Sequence, residues 1–83
     1  MKFFYVYVLY NKSKNFIYIG YSKDIVRRLK EHNKRSNIWI LIYYEAYRSE
    51  DDARRRERKL KDYGQSRTHL KNRIKDSLLS LSE

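Results

Sequence analysis

The chain has 83 residues with no cysteine and no proline, which leaves room for one small core and excludes a disulfide framework or a thiolate metal site. Twenty Lys and Arg stand against ten Asp and Glu, a net charge of +10 carried mainly by Lys23 to Arg35, Arg54 to Lys61 and Arg67 to Lys75. A field of that sign favours a polyanion, with nucleic acid as the default partner and an anionic membrane surface as the rival. With only His32 and His69 available, zinc held by four protein ligands is not expected. No apolar run has the length of a membrane span, and Met1 to Tyr10 lacks the cleavage pattern of a signal peptide. A single domain over residues 1–83, soluble and cytoplasmic with no membrane role, is the expectation.

Taken in order, Phe3 to Tyr10 is aromatic and β-branched on both faces, which predicts a strand covered on both sides and central in its sheet. Asn11 to Asn15 is turn-like and links it to a second strand, Phe16 to Gly20, as a hairpin. The chain is expected to turn at Gly20, with Ser22 or Asp24 capping a helix over Asp24 to Asn33. After the polar link Lys34 to Asn37, the apolar run Ile38 to Tyr47 reads as a third strand. Ser49, followed by Glu50, Asp51 and Asp52, opens a second helix that should end near Gly64. Ser66 caps a third, in which Leu70, Ile74, Leu78 and Leu81 recur as one apolar seam.

Strand, glycine and basic helix between Tyr18 and His32 make a place for a phosphate. Gly20 lets a backbone approach closely, and the helix start offers free N–H groups and the positive end of its dipole. At about 100° per residue, Ile25, Leu29 and His32 form one stripe with Arg28 at its edge, while Arg27, Lys30 and Lys34 point away. Arg28 either lays its methylenes on the core and reaches water or serves a site. On the second helix Ala53, Glu57 and Leu60 share the inward stripe, and Arg54, Arg55, Arg58 and Lys61 face outward or sideways. A carboxylate there needs a cation or a metal, so Glu57 either pairs with Arg28 or Arg56 or binds an ion.

Tyr5-Val6-Tyr7, Tyr18-Ile19-Gly20, Arg28 eight residues past the glycine, and Glu57 closing Ala53 to Glu57 resemble, in that order, the motifs of the GIY-YIG nuclease family. The likeness is to small stand-alone members similar to the nuclease module of the excision-repair incision subunit, which suggests DNA repair as the setting. It implies an α+β fold, a three-stranded antiparallel sheet with the first strand central and three flanking helices (β-β-α-β-α-α). It also implies a Mg²⁺- or Mn²⁺-dependent endonuclease that hydrolyses phosphodiester bonds in DNA with little sequence specificity and takes no small-molecule substrate. By motif position Tyr7 and Tyr18 match the catalytic tyrosines, Arg28 the phosphate-contacting arginine and Glu57 the single metal-binding carboxylate. His32 falls where other members carry a tyrosine or histidine near the scissile phosphate.

Each has an ordinary alternative: nine tyrosines make sheet packing the commonest fate for Tyr7 and Tyr18, and His32 can cap a carbonyl. Either Tyr7 or His32 can be the general base, since a phenol at a pKa of ~10 needs help and an imidazole titrates near neutrality. The first motif lacks its glycine, Tyr21 stands where some members carry lysine, the Lys34 to Asn37 link is short, and Asn72 is the one candidate for a closing asparagine. Cutting both strands of a duplex would need a homodimer or two successive nicks. The alternative reading is a non-catalytic DNA- or RNA-binding module on the same fold.

Overall fold

In the computed structural model, which describes residues 2–82, β1 (Phe4–Asn11) runs through the middle of a three-stranded antiparallel sheet. β2 (Phe16–Ser22) and β3 (Trp39–Tyr47) lie on either side, in the order β2-β1-β3. Tyr7 sits opposite Gly20 on one neighbour and Tyr44 on the other; Asn11 sits opposite Phe16 and Trp39. Between Val8/Tyr43 and Leu9/Leu41 the β1–β3 register slips, leaving Ile42 as the extra residue of a bulge.

The alternation of β1 sorts its side chains to two faces. Val6 and Val8 pack with Ile19 against Ala53 and Leu60 of α2 (Glu50–Asp62), Leu70 of α3 (Gly64–Arg73) and Ile74. Of these, Val6, Val8, Ala53, Leu60 and Leu70 are at most 1% exposed, and each large aliphatic among them contributes about 1.5–3 kcal/mol by leaving water. On the other face Tyr5 lines a cleft with Ile25 and Val26 of α1 (Ile25–His32), and the Tyr7 hydroxyl reaches His32 of the same helix. An apolar sequence on both sides of β1 is thus explained by helices on both sides of the sheet.

Three local expectations are corrected. Gly20 does not turn the chain: β2 continues through it to Ser22, and no glycine among the described residues has positive φ. The turn falls at Lys23 and Asp24, and Asp24 is the cap, its Oδ1 accepting the Arg27 N–H at 3.1 Å. α2 does open on Ser49, but α3 follows at once from Gly64, with Tyr63 rather than Ser66 at its N-cap position. The helix predicted across Leu70 to Leu81 breaks at Ile74 (φ −112°, ψ 24°) into α3 and α4 (Lys75–Ser82), giving four helices among the described residues. The Leu78 N–H still reaches the Ile74 carbonyl at 3.0 Å, and the bend keeps Ile74 and Leu78 on the core while Leu79 is left exposed.

Candidate active site

Gly20 is glycine because of Tyr7. The two face each other across β1 and β2, and a Cβ on Gly20 would stand 2.4 Å from both Cζ and Oη of Tyr7. No real Cβ makes such a contact, so the missing side chain is the space in which the Tyr7 ring lies. The ring is 1% exposed, yet its hydroxyl reaches His32 Nε2 at 3.2 Å, at the last turn of α1. A buried phenol is thereby fixed in one orientation, its oxygen lying over Gly20 and against His32.

Burial pushes the Tyr7 phenol above its ordinary 10, and the positive charge of Arg28 only partly offsets this. His32 moves the opposite way: burial, then the Arg28 charge, hold its imidazole below 6.5, against a smaller pull from Glu31. At neutral pH His32 is therefore uncharged. With its ring proton assigned to Nδ1, Nε2 is an acceptor, and the Tyr7 O–H donates to it.

Tyr18, one pleat along β2 from Gly20, brings its ring 6.3 Å from Tyr7 and 5.0 Å from His32. Arg28 lies half-buried at the edge of α1, its guanidinium 3.3 Å from Glu31 across one helical turn and coupled electrostatically to Tyr7.

Glu57 comes from the opposite layer. It follows the buried Ala53 by one turn of α2, and its side chain is 20% exposed, facing inward as its stripe required. Its ion pair is with Lys61, at 3.1 Å, and with neither Arg28 nor Arg56, the partners named for the salt-bridge alternative; Arg56 is engaged by Glu45. The same Lys61 ammonium lies 5.7 Å from the centre of the Tyr18 ring, and the Glu57 charge reaches Tyr7. Tyr7, Tyr18, Arg28 and His32 form one group, and Glu57 joins it from across the β2 edge through Lys61. Asn72 is exposed on α3, and Tyr21 donates to Glu50 at 2.6 Å on the α2-facing side of the sheet.

Two contributors escaped the sequence reading. Trp39 packs 5.8 Å from His32 and 6.0 Å from Tyr18, closing the aromatic group on the β3 side. Asn33, which ends α1, accepts the Trp39 N–H at 2.9 Å and donates to the Trp39 carbonyl at 3.0 Å. This double bond of helix end to strand start holds His32 over the sheet across the short Lys34 to Asn37 link. The only signal for it was a lone asparagine ahead of a basic link.

A Mg²⁺ ion keeps most of its waters and binds through one or two carboxylates and the phosphate oxygens of a substrate. A single carboxylate at the rim, with a lysine that can swing away, suits an ion shared with substrate. It does not suit a preformed cage, and among the described residues no three His, Asp or Glu converge.

Two tyrosines from adjacent strands, an arginine and a histidine from the helix after them, and a carboxylate from the next helix, on a three-stranded antiparallel sheet, define a nuclease-type fold. The chain belongs to the GIY-YIG family: the family model described as the GIY-YIG catalytic domain matches residues 3–72. That family is one of endonucleases that generally depend on divalent metal. No curated protein and no solved structure matches the chain. No helix among the described residues is long and apolar enough to cross a membrane.

Proposed function

We propose that this chain is a divalent-metal-dependent endonuclease that hydrolyses phosphodiester bonds in DNA with little sequence preference. The observation that carries the reading is the buried Tyr7 hydroxyl laid over Gly20 and donated to a neutral His32, beside Arg28. Burial makes Tyr7 a poor base by itself, so it acts as a relay. As the water oxygen bonds to phosphorus, its proton passes to Tyr7 Oη and the Tyr7 proton passes to His32 Nε2. The bond from phosphorus to the leaving oxygen breaks, and that oxygen is protonated from solvent.

Arg28 presents planar, permanently charged donors to the non-bridging oxygens, and Tyr18 borders the phosphate beside Tyr7. Glu57 would hold a Mg²⁺ or Mn²⁺ ion, which would supply positive charge to stabilise the leaving oxygen. The outward basic residues of α2 and α3 give a sequence-independent grip on phosphates. The reading treats residues 1–83 as one cytoplasmic domain with one site, in keeping with a single core and a cysteine-free sequence, so a homodimer or two nicks would cut a duplex. A second reading, a basic DNA- or RNA-binding module without catalysis, draws on Lys61 already pairing with Glu57.

Nicking of supercoiled plasmid with Mg²⁺, Mn²⁺ or EDTA separates the two. Metal-dependent nicking lost in both Glu57→Gln and Arg28→Ala is the expected outcome. Salt-sensitive binding with no metal-dependent cleavage of plasmid or of branched DNA would favour the binding module.

A further inference from the structure

The aromatic group does not stop at the catalytic rim. Phe16 opens β2 and Trp39 opens β3, and both sit opposite Asn11, so the two rings meet across the end of β1 at 5.7 Å, edge to face. Trp39 continues to Tyr18 at 6.0 Å and His32 at 5.8 Å, giving a surface row Phe16, Trp39, then Tyr18 and His32, that ends at Tyr7. Phe16 is 45% exposed, and Trp39, Tyr18 and His32 are each partly open to water. A large apolar side chain at that exposure, at a strand end beside a site, packs little and leaves a face free.

The row is built rather than loose. Asn11, 3% exposed, accepts the Ser13 and Lys14 N–H groups on its Oδ1 at 2.9 Å each, fixing the turn that brings Phe16 back. The Lys12 N–H donates to the Ile38 carbonyl at 2.8 Å, and Asn33 clamps Trp39 from the other side. The two segments bordering the row, 11–15 and 33–38, carry four cations, Lys12, Lys14, Lys34 and Arg35, and no anion. Aromatic faces between cations, leading to a phosphate-cleaving centre, have the composition that holds a single strand: bases stack and the backbone is neutralised. Stacked bases of an intact duplex expose no face to such a row.

We infer that Phe16 and Trp39 form a stacking platform for unpaired nucleotides of DNA next to the scissile phosphate, so that the preferred substrate has a single-stranded stretch at the cut. This rests on the nuclease reading for its meaning but not for its test. Trp39 is the only tryptophan, so fluorescence excited to the red of tyrosine absorption reports on the platform alone. In EDTA, where no cleavage occurs, the wild-type protein is titrated with a 12-nucleotide single strand of DNA, the same strand with abasic residues, and the blunt duplex.

The single strand is expected to quench Trp39 saturably. The abasic strand, with the same phosphates, should bind about tenfold more weakly without quenching, and the duplex should quench little. With affinity read from the fluorescence anisotropy of dye-labelled strands, Trp39→Ala should lose about tenfold for the normal strand and nothing for the abasic one, with Phe16→Ala smaller in the same direction. Phe16 is exposed enough that its variant folds even if Trp39→Ala does not, and Trp39→Phe should keep the base dependence. Equal binding and quenching by normal and abasic strands, or losses that do not depend on the bases, overturns the platform. So does tenfold tighter binding to RNA of the same sequence, which would reassign the ligand. Base-dependent quenching in a protein that never nicks DNA would sink the nuclease reading and leave the platform standing.

Discussion

Glu45 and Glu57 are both inward-facing carboxylates on a chain rich in cations, yet they are treated in opposite ways. Glu45, on β3 and 14% exposed, accepts hydrogen bonds from the Tyr43 and Tyr47 hydroxyls and from Nε and a terminal nitrogen of Arg56, the latter two at 2.9 and 3.1 Å. Burial alone would raise its pKa, but the bonds from Arg56, Tyr47 and Tyr43 outweigh that and hold it below 4.5. Every lone pair has a use, and nothing is left for a ligand. Glu57, almost as sheltered, has one flexible lysine among the described residues. A carboxylate saturated by its own fold is a brace; one held by a single movable cation has coordination capacity to spare.

The contrast is sharpest in paired variants. Glu57→Gln should lower the plasmid-nicking rate about 10³-fold while leaving the fold within about 1 kcal/mol of wild type, because it removes a partly exposed ion pair. Glu45→Gln should do the reverse at the level of the fold. It strands Arg56 and two tyrosines and costs about 3 kcal/mol, read as a fall in the thermal unfolding midpoint by circular dichroism. Its pH dependence follows from the lowered pKa: the stabilisation by Glu45 is complete above 4.5 and is lost as pH falls through its lower folded value. If the two variants lost equal stability, the division between brace and site would collapse.

Gly20→Ala comes next in size. The new Cβ meets the Tyr7 ring, a rigid group with packed neighbours, so a loss of about 1–3 kcal/mol and a displaced Tyr7 hydroxyl are expected. Urea unfolding reads the first effect and nicking the second. An alanine tolerated at full activity would mean that the Tyr7 ring has freedom the packing denies it.

This glycine also shows where a sequence stops being readable. That Gly20 needs to be small was legible; the Tyr7 ring as the reason was not, because the group that excludes a Cβ lies on another strand, thirteen residues earlier. The central place of the first strand was legible from the two apolar faces of Phe3 to Tyr10, and the inward setting of Glu57 from its place in the Ala53 and Leu60 stripe. Its partner was missed although the signal was there: Lys61 stands four residues on, the spacing at which a glutamate and a lysine meet along one helix face. Trp39 looked like any strand aromatic, since its meeting with Phe16 depends on a register displaced by the Ile42 bulge. The break at Ile74 had no glycine or proline to announce it.

The acid limb of the nicking rate tests the relay. His32 has a folded pKa below 6.5, so it stays an acceptor down through pH 6.5 and is protonated only at a lower pH. Activity should hold from pH 8 to 6.5, then fall about tenfold per unit below the His32 pKa. In His32→Ala that limb should vanish from a much slower reaction. The unfolded chain binds the proton more readily than the fold, so the same protonation also erodes stability as pH falls below 6.5, never above it. A limb centred at 6.5 or higher would mean that burial does not govern this imidazole.

The smallest effect bears most directly on the comparison. Lys61→Met removes the one cation on Glu57 while keeping the length of the stem beside Tyr18. If Lys61 merely holds a metal-binding carboxylate until substrate and ion arrive, its removal should tighten Mn²⁺ binding about fivefold, the worth of a partly exposed ion pair of ~1 kcal/mol. Paramagnetic broadening of protein resonances near Glu57 in a Mn²⁺ titration without DNA reads this apart from any phosphate contact Lys61 makes. Weaker or unchanged Mn²⁺ binding would place Glu57 with Glu45, as a second brace whose partner is lysine instead of arginine.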